Sequence, residues 1–153
     1  AHSAEGKAEN FDILMATPPI TAVQAVCDAG ISQAADGEGW LPTDHETMKV
    51  LGLDNVYVLG DTVDLPVSKA GGSCHSQSPV VVNNVTSEIR FGRVCDAYEG
   101  RVVAIAQMGL EDGMPLWYDY TEDVKPTPPN KLGGLMRKGF NRGAYCAVAR
   151  GLI

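Results

Sequence analysis

The pattern of apolar and polar positions divides the first third of the chain into short elements. Residues 11–15 form a short apolar run, which predicts a β-strand, and the Thr17-Pro18-Pro19 triplet ends it because paired prolines cannot stay in a central ladder. Residues 21–29 carry apolar side chains at helical spacing, and Gly30 is the predicted end of that helix.

A buried strand and a long helix are predicted in the middle of the chain. Residues 56–59 read Val-Tyr-Val-Leu, a pattern typical of a buried strand, and Gly60-Asp61 lies at its carboxyl end. An apolar stripe then recurs at helical spacing and ends at Gly92. Pro79 is expected either in the first turn of this helix or at a kink within it.

From Arg93 onward the period changes from helical to extended. Residues 94–97 and 101–108 predict a hairpin with its turn at 98–100, followed by a second turn at 111–113 and a third strand at 116–120. A proline-rich linker leads to a final helix, whose predicted apolar face contains Leu132, Leu135, Met136, Phe140, Ala144, Ala147 and Val148. The expected fold is therefore α/β. Residues 1–90 are predicted to form an α/β region, and residues 91–153 a small antiparallel hairpin with a helical cap.

Charge narrows the classes of partner. The chain has 153 residues and a formal charge of -7, which excludes a general nucleic-acid binder because phosphate binding needs a basic surface. Residues 124–153 nevertheless contain six basic side chains and no acidic one. This tail, residues 132–153 above all, is expected to meet an anionic surface such as lipid headgroups, the alternative being a solvated helix face.

The cysteines and the termini indicate the cellular setting. Four widely spaced cysteines, with no C-x-x-C pair and no histidine at zinc-ligand spacing, predict reduced thiols in a non-secreted protein and no metal site. No apolar run approaches the ~20 residues that span a bilayer, and no signal peptide is evident. A cytoplasmic or peripheral membrane location is expected. The chain does not begin with Met, which favours a processed or excised piece of a longer protein.

Candidate ligand chemistry lies between Gly60 and Gly72. In open α/β sheets, ligands bind beyond the carboxyl ends of strands, where Gly60 would allow close approach and Asp61 could accept hydrogen bonds from ligand hydroxyls. The alternative is that Asp61 caps the next turn. Residues 68–72, Ser-Lys-Ala-Gly-Gly, are predicted to open a helix, whose free N–H groups and the nearby Lys69 would suit an anionic or flat ligand.

A family resemblance covers nearly the whole chain. Residues 54–85, D-N-V-Y-V-L-G-D-T-V-D-L-P-V-S-K-A-G-G-S-C-H-S-Q-S-P-V-V-V-N-N-V, resemble the second FAD signature of the sulfide:quinone oxidoreductase and flavocytochrome c sulfide dehydrogenase family. Residues 39–48, G-W-L-P-T-D-H-E-T-M, resemble that family's linker, and Y-E-G-R-V-V-A through L-W-Y-D-Y resembles its carboxy-terminal hairpin region. The basic apolar tail is similar to its membrane-docking segment.

The resemblance implies a cofactor site. It implies that residues 1–90 form the carboxy-terminal part of a Rossmann-like FAD/NAD(P)-binding domain. It also implies that the chain is the carboxy-terminal part of an FAD-dependent oxidoreductase, in which Asp61, next to Gly60, binds the ribityl chain. The backbone of Lys69, Ala70 and Gly71 would cradle the pyrimidine edge of the flavin. Residues 17–19, with Thr17 and Pro18 foremost, would line the pocket wall near the ring or a quinone.

Two departures from the family pattern limit what the chain can do alone. The G-x-G-x-x-G segment that holds the FAD pyrophosphate is absent, so a separate amino-terminal FAD-binding portion is expected as partner, and the chain alone is expected to be inactive. Ala104 stands where the family carries its second cysteine. No catalytic residue is identified. The candidates are Lys69, Cys74 and His75, with helix packing as the alternative for Cys74 and a hydrogen-bonded wall position for His75.

The function implied by the resemblance is electron transfer from a small donor, such as a sulfur compound, to a quinone or other acceptor. A flavocytochrome c-like flavin subunit and a type II NADH dehydrogenase are the alternatives among enzymes. A domain that completes a flavoprotein without chemistry of its own is the non-catalytic alternative.

Overall fold

A computed structural model describes residues 6–8, 10–15, 21–32 and 39–151. Its helices are α1 (Gln24–Asp28), α2 (Gly71–Phe91), α3 (Lys131–Gly139) and α4 (Tyr145–Ala149). Its strands are β1 (Leu41–Pro42), β2 (Val63–Asp64), β3 (Val102–Met108) and β4 (Asp112–Tyr118). A 3-10 turn covers Gly60–Thr62, and a π-helical turn, Phe140–Ala144, joins α3 to α4.

The strands form two small sheets, and the fold is mixed α/β as predicted. β1 and β2 pair in parallel, with Leu41 opposite Val63. β3 and β4 pair antiparallel, from Val102 opposite Tyr118 to Met108 opposite Asp112. A Rossmann-like layer stays a prediction, because parallel pairing in the described part of the chain is limited to the two residues of each of these strands.

Residues 11–15 and 56–59 differ from their predicted strands. Residues 11–15 are exposed and lie outside any strand. Residues 56–59 form only an isolated antiparallel bridge, Lys49 to Tyr57, in place of a ladder. Two flanking bonds complete this contact: the Val50 N–H donates to the Val56 carbonyl (2.9 Å) and the Val58 N–H to the Met48 carbonyl (3.0 Å). Residues 56–59 therefore pair with residues 48–50, which lie just before them in the chain, and not with a parallel strand.

The hairpin is real, but its predicted pairing is wrong. Residues 102–108 pair with residues 112–118 across a turn at 109–111, and not with residues 94–97. The reason lies at the predicted first turn, where Tyr98 is buried and its N–H donates to the Glu46 carbonyl (2.8 Å). Gly100 packs directly against the ring of Tyr120. These contacts hold residues 94–100 against the core and away from β3.

Helix α2 is the longest element, with 21 residues. It begins at Gly71, as the Ser-Lys-Ala-Gly-Gly run predicts, and ends at Gly92, whose left-handed φ of 66° and N–H bond to the Glu88 carbonyl terminate it. Pro79 lies inside the helix, so of its two expected places the first turn is wrong and a position within the helix is right. The helix extends across the proline because the turns on both sides of it are anchored by buried residues, among them Gln77 and Val80.

The core lies between α2 and the segment from Leu41 to Leu65. Its buried apolar members are Leu41, Met48, Val50, Val58, Val63, Leu65, Val80, Val81 and Tyr98. Met48 is fully buried even though its φ is 66°, a conformation that side-chain-bearing residues seldom adopt. Burial of its side chain and the two backbone bonds of Met48 hold it there.

A polar side chain, Asn84, joins α2 to two separate loops. It is fully buried and makes four hydrogen bonds. Its Oδ1 accepts from the N–H groups of Cys95 (3.0 Å) and Asp96 (2.8 Å), and its Nδ2 donates to the carbonyls of Thr47 (3.2 Å) and Asp96 (3.0 Å). The side-chain amide thus satisfies the backbone N–H groups of residues 95 and 96 and the carbonyl of Asp96, as the backbone of a neighbouring strand would.

One helical turn after Asn84, an ion pair also joins α2 to the segment that packs against it. Lys49 pairs with Glu88, which also accepts a 2.7 Å hydrogen bond from the hydroxyl of Tyr57. Burial, followed by the Glu88 carboxylate, raises the pKa of Tyr57 to about 12. Hydrogen bonds from Lys49 and then Tyr57 lower the pKa of Glu88. A lowered carboxyl pKa means that this contact stabilises the fold above the ordinary pKa of glutamate and weakens as the pH falls below it.

Helix α3 packs on the hairpin through glycines. A Cβ on Gly134 would overlap the carbonyl of Glu111, and one on Gly133 would overlap the carbonyl of Gly113. Asn130 caps α3 by accepting a hydrogen bond from the Gly133 N–H (2.8 Å). The predicted tail helix is thus confirmed. In the described ranges no helix combines the length and apolar character needed to cross a membrane.

We expect Asn84→Ala to lower the free energy of unfolding by about 2–3 kcal/mol, because two buried N–H groups and two carbonyls lose their partner. Urea denaturation followed by circular dichroism measures this. The matched control is Asn83→Ala, since Asn83 is exposed and its side chain donates a hydrogen bond to the exposed carboxylate of Asp96. A loss equal to that of the control would show that the Asn84 amide does not hold the loops together.

We expect Gly134→Ala to separate α3 from the hairpin, because the added methyl group meets backbone that cannot move aside. Amide hydrogen exchange in residues 131–139 should become faster. Gly139→Ala is the control: its Cβ meets nothing within 4 Å, so this change should strengthen the helix by up to ~1 kcal/mol. Unchanged exchange in Gly134→Ala would mean that the close backbone contact does not position α3.

Candidate functional site

The Gly60–Thr62 turn is fixed against α2. Gly60 has a φ of 76°, and its N–H donates to the Oε1 of Gln77 (2.7 Å). A Cβ at Gly60 would lie 3.7 Å from the Sγ of Cys74. Asp61 follows in an exposed position and makes no hydrogen bond or ion pair with the described residues. The turn therefore presents an unengaged carboxylate beside the first turns of α2.

The loop before α2 is tied to both the helix and the hairpin. The Ser68 N–H donates to the hydroxyl of Tyr118 (2.8 Å), and the hydroxyl of Ser73 donates to the carbonyl of Ser68. Lys69 turns inward: its Nζ donates to the carbonyl of Val63 (2.6 Å) and lies 4.4 Å from the centre of the Trp40 ring. The loop is thus rigidly placed. The Lys69 ammonium, however, is directed at the core and not at open space.

The start of α2 is open on one side and closed on the other. Ala70 occupies the N-cap position and supplies no side-chain hydrogen bond. A Cβ at Gly71 would meet nothing within 4 Å, whereas one at Gly72 would overlap the carbonyl of Val103 in β3. The start of α2 is therefore open at Gly71, and a helix start carries positive potential from its unpaired N–H groups.

Gln77 adds an unusual feature beneath this place. It is fully buried, and while its Oε1 bonds Gly60, its Nε2 finds no hydrogen-bond partner in the described part of the chain. A buried donor without a partner costs about 1–3 kcal/mol. The amide is retained because it holds the Gly60 turn against α2.

The two reactive candidates on α2 point in different directions. Cys74 is half-buried, and its Sγ faces the Gly60 turn. His75 is exposed, and its ring contacts the ring of Phe140 in the tail edge-to-face, with 6.0 Å between centroids. No hydrogen bond joins the thiol to the imidazole. Cys74 therefore occupies a packing position, and His75 contacts the tail.

Ala104 lies next to the start of α2. Its Cα is 3.9 Å from the Cβ position of Gly72, and in β3 it stands opposite Leu116. The fold thus brings the position where the family resemblance expects a cysteine close to the candidate cofactor loop. The side chain there is a methyl group.

The structure places Gly60, which precedes Asp61, against Cys74 and Gln77 in the first two turns of α2. Lys69 and Ala70 directly precede that helix, which begins at Gly71. Thr17 and Pro18 lie outside the described residues. Sequence analysis missed the positioning roles of Gln77, Ser73 and Tyr118, which hold the turn and the loop in place. The four-residue spacing of Ser73 and Gln77 places them on one side of the helix, which is a sequence signal for these two residues. Tyr118 has no such signal, because only the tertiary fold brings its hydroxyl to Ser68.

Comparisons with known proteins found similar proteins over part of the chain. No family model matches the chain. The mitochondrial sulfide:quinone oxidoreductase of Mus musculus is 27% identical over 119 residues, which make up 78% of this chain and 26% of that protein. Its Schizosaccharomyces pombe counterpart is 30% identical over 59% of this chain and 19% of that protein. The Dictyostelium discoideum counterpart is 30% identical over 52% of this chain and 17% of that protein.

A solved structure shares the fold. A chain of the cryo-EM structure of the Tetrahymena thermophila mitochondrial ATP synthase (F1Fo composite tetramer) matches with a TM-score of 0.66 and 21% identity. The match covers 82% of this chain and 31% of that chain. At this identity the likeness shows the fold alone. The chain spans about a quarter or less of the curated relatives that it matches, and over that segment it is similar to mitochondrial sulfide:quinone oxidoreductases.

Proposed function

We propose that this chain is part of an FAD-dependent oxidoreductase resembling sulfide:quinone oxidoreductase, and that it contributes one side of the flavin site. The observation that carries the proposal is the open start of α2 at Gly71 beside the unengaged carboxylate of Asp61. Similarity to three such enzymes supports it. Thr17 and Pro18 complete the pocket wall in this proposal.

Each residue has a distinct part in holding the cofactor. The Asp61 carboxylate accepts hydrogen bonds from the ribityl hydroxyls, and Gly60 keeps the backbone close. The N–H groups at the start of α2, with the backbone of Lys69 and Ala70, stabilise negative charge at the pyrimidine edge through the helix dipole. The flavin supplies the electron-transfer chemistry when bound.

The same proposal includes an electron donor and an electron acceptor. Electrons pass from a small donor, such as a sulfur compound, to a quinone or another acceptor. With Ala104 beside α2, this position has no thiolate to attack a sulfur donor. The Cys74 thiol faces the Gly60 turn and does not replace the missing thiolate. The sulfur chemistry of the relatives therefore does not transfer to this position.

The remaining part of the flavin site comes from a partner in this proposal. The chain lacks the glycine-rich turn and helix start that bind a pyrophosphate. An amino-terminal FAD-binding portion, on the same or another polypeptide, supplies it. A domain that completes a flavoprotein without chemistry of its own is the outcome if the assembled protein holds flavin but transfers no electrons.

The tail is proposed to lie on an anionic membrane surface. Its apolar side chains are not buried in this chain: Leu135 is 65% exposed, Met136 53% and Phe140 46%. They are therefore free to enter an apolar layer, while Lys138 and Arg142 stay at the headgroups. At about 1 kcal/mol per basic residue, the attachment would be reversible and sensitive to salt.

We expect Asp61→Ala to lower the flavin content of the full protein. It removes charge-assisted hydrogen bonds worth about 1.5–3 kcal/mol, which weakens binding roughly 10- to 150-fold. Absorbance of flavin per mole of purified protein measures this. Asp64→Ala is the control, because Asp64 is exposed on β2 at the other side of the turn. Flavin content equal to that of the control would place Asp61 outside the cofactor site.

We expect co-sedimentation with vesicles containing anionic lipid to depend on the tail. Lys138→Ala with Arg142→Ala should reduce the bound fraction at low salt, and high salt should release the unmodified chain. The control is Arg90→Ala with Arg93→Ala, which removes the same charge from exposed positions on the body. Equal losses in the two pairs would show that net charge, and not the tail, governs binding.

A further inference from the structure

An aromatic contact joins the end of α3 to the second turn of α2. The rings of His75 and Phe140 lie edge-to-face, with 6.0 Å between their centroids. His75 lies four residues after Gly71, so the two residues project from the same side of α2, and both are exposed. Phe140 therefore borders the side of the helix on which the start of α2 is open.

The tail is fixed to the hairpin before it reaches Phe140. Gly133 and Gly134 lie directly against hairpin backbone, and a guanidinium N–H of Arg137 donates to the Oε1 of Gln107. A Cβ at Gly139, in contrast, would meet nothing within 4 Å. The close packing of α3 on the hairpin thus ends just before Phe140.

Beyond Phe140 the described tail makes little contact with the body. Helix α4 has no buried residue. In the described part of the chain, the hydrogen bonds of residues 141–151 stay within the tail, as between the Cys146 thiol and the Asn141 carbonyl (3.7 Å). Phe140–Ala144 form a π-helical turn, and such turns are frequent at functional sites. The tail can therefore turn about residues 140–144 without exposing a buried side chain.

The Phe140 ring cannot occupy two surroundings at once. The tail exposes the apolar side chains of Leu135 and Met136 together with that of Phe140, and residues 132–153 contain basic but no acidic side chains. This combination suits an anionic lipid surface. Entry of the Phe140 ring into the acyl layer would separate it from His75, because a polar imidazole does not enter hydrocarbon without a free-energy cost.

We propose that the contact between His75 and Phe140 is a switch. Away from a membrane, Phe140 packs on His75 and keeps the tail beside the open start of α2. When the tail lies on anionic lipid, Phe140 leaves His75, and this side of α2 opens toward the lipid and an acceptor dissolved in it. The inference rests on the proposed function and adds to it how access to the same site is regulated.

Chemical modification of the two described histidines tests the switch in the full protein. Diethyl pyrocarbonate modifies accessible imidazoles, and peptide mass spectrometry reads each position separately. We expect vesicles of phosphatidylserine and phosphatidylcholine to make His75 react several-fold faster. His45 is the matched control, because its ring also packs edge-to-face on an aromatic ring, that of Tyr120, with 5.7 Å between centroids. The rate at His45 should not change, since this contact lies on the body.

Affinity for the same vesicles is a second measurement. A contact that competes with lipid weakens vesicle binding, so His75→Ala should bind about two- to tenfold more tightly, the equivalent of one aromatic pair. Phe140→Leu keeps an apolar side chain for the lipid but has no ring. In that background, His75→Ala should have no further effect. A contact that serves only to hold the fold together predicts weaker binding by His75→Ala.

Three results would overturn the switch. His75 reacts no faster although the protein sediments with the vesicles, His75→Ala binds no more tightly, or the protein does not sediment with the vesicles at all. Flavin absorbance of the same samples separates this inference from the proposed function. Faster modification of His75 without flavin contradicts the flavin site only, and flavin without faster modification contradicts the switch only.

Discussion

The buried amide of Asn84 is the interaction on which the rest of the structure depends. Through four hydrogen bonds it joins α2 to Thr47 on one side and to residues 95–96 on the other. Gln77, two turns earlier on the same side of the helix, does the same for the Gly60 turn. These amides replace the ladder bonds of an extended sheet, which the described part of the chain has only in short pieces. The helix consequently positions the core, the site turn and the chain leading into the hairpin.

Close backbone contact joins the layers outside that core. The carbonyl of Val103 lies against Gly72, and that of Glu111 against Gly134, with no side chain between them. The hairpin is therefore clamped between the start of α2 and the middle of α3. The start of α2 and the middle of α3 therefore both pack directly on the backbone of the hairpin. The start of α2 at the candidate site and the first helix of the basic tail thus contact the same hairpin.

This packing determines which groups surround the proposed flavin site. The cofactor side offers helix N–H groups, an unengaged Asp61 and the methyl group of Ala104, while Lys69 is turned toward Val63 and Trp40. Negative charge on a ring edge would thus be met by the helix dipole more than by a cation. The edge-to-face contact between His75 and Phe140 places the tail one turn beyond this point. A tail resting on a membrane would bring a lipid-soluble acceptor to the same side of the site.

The sequence by itself determined the features that depend on neighbouring residues. The Gly-Asp turn, the helix start at Ser-Lys-Ala-Gly-Gly, its end at Gly92 and the amphipathic tail follow from local backbone preferences and spacing, and the family resemblance rests on the same contiguous motifs. Only the tertiary structure decided the partner of residues 101–108, the antiparallel bridge of Tyr57 and the inward direction of Lys69. Each of these is set by a contact across the chain: Tyr98 with Glu46, Val58 with Met48, and Lys69 with Val63. Local propensity cannot choose between such partners, because the alternatives differ in burial and hydrogen bonding that exist only once the chain has folded.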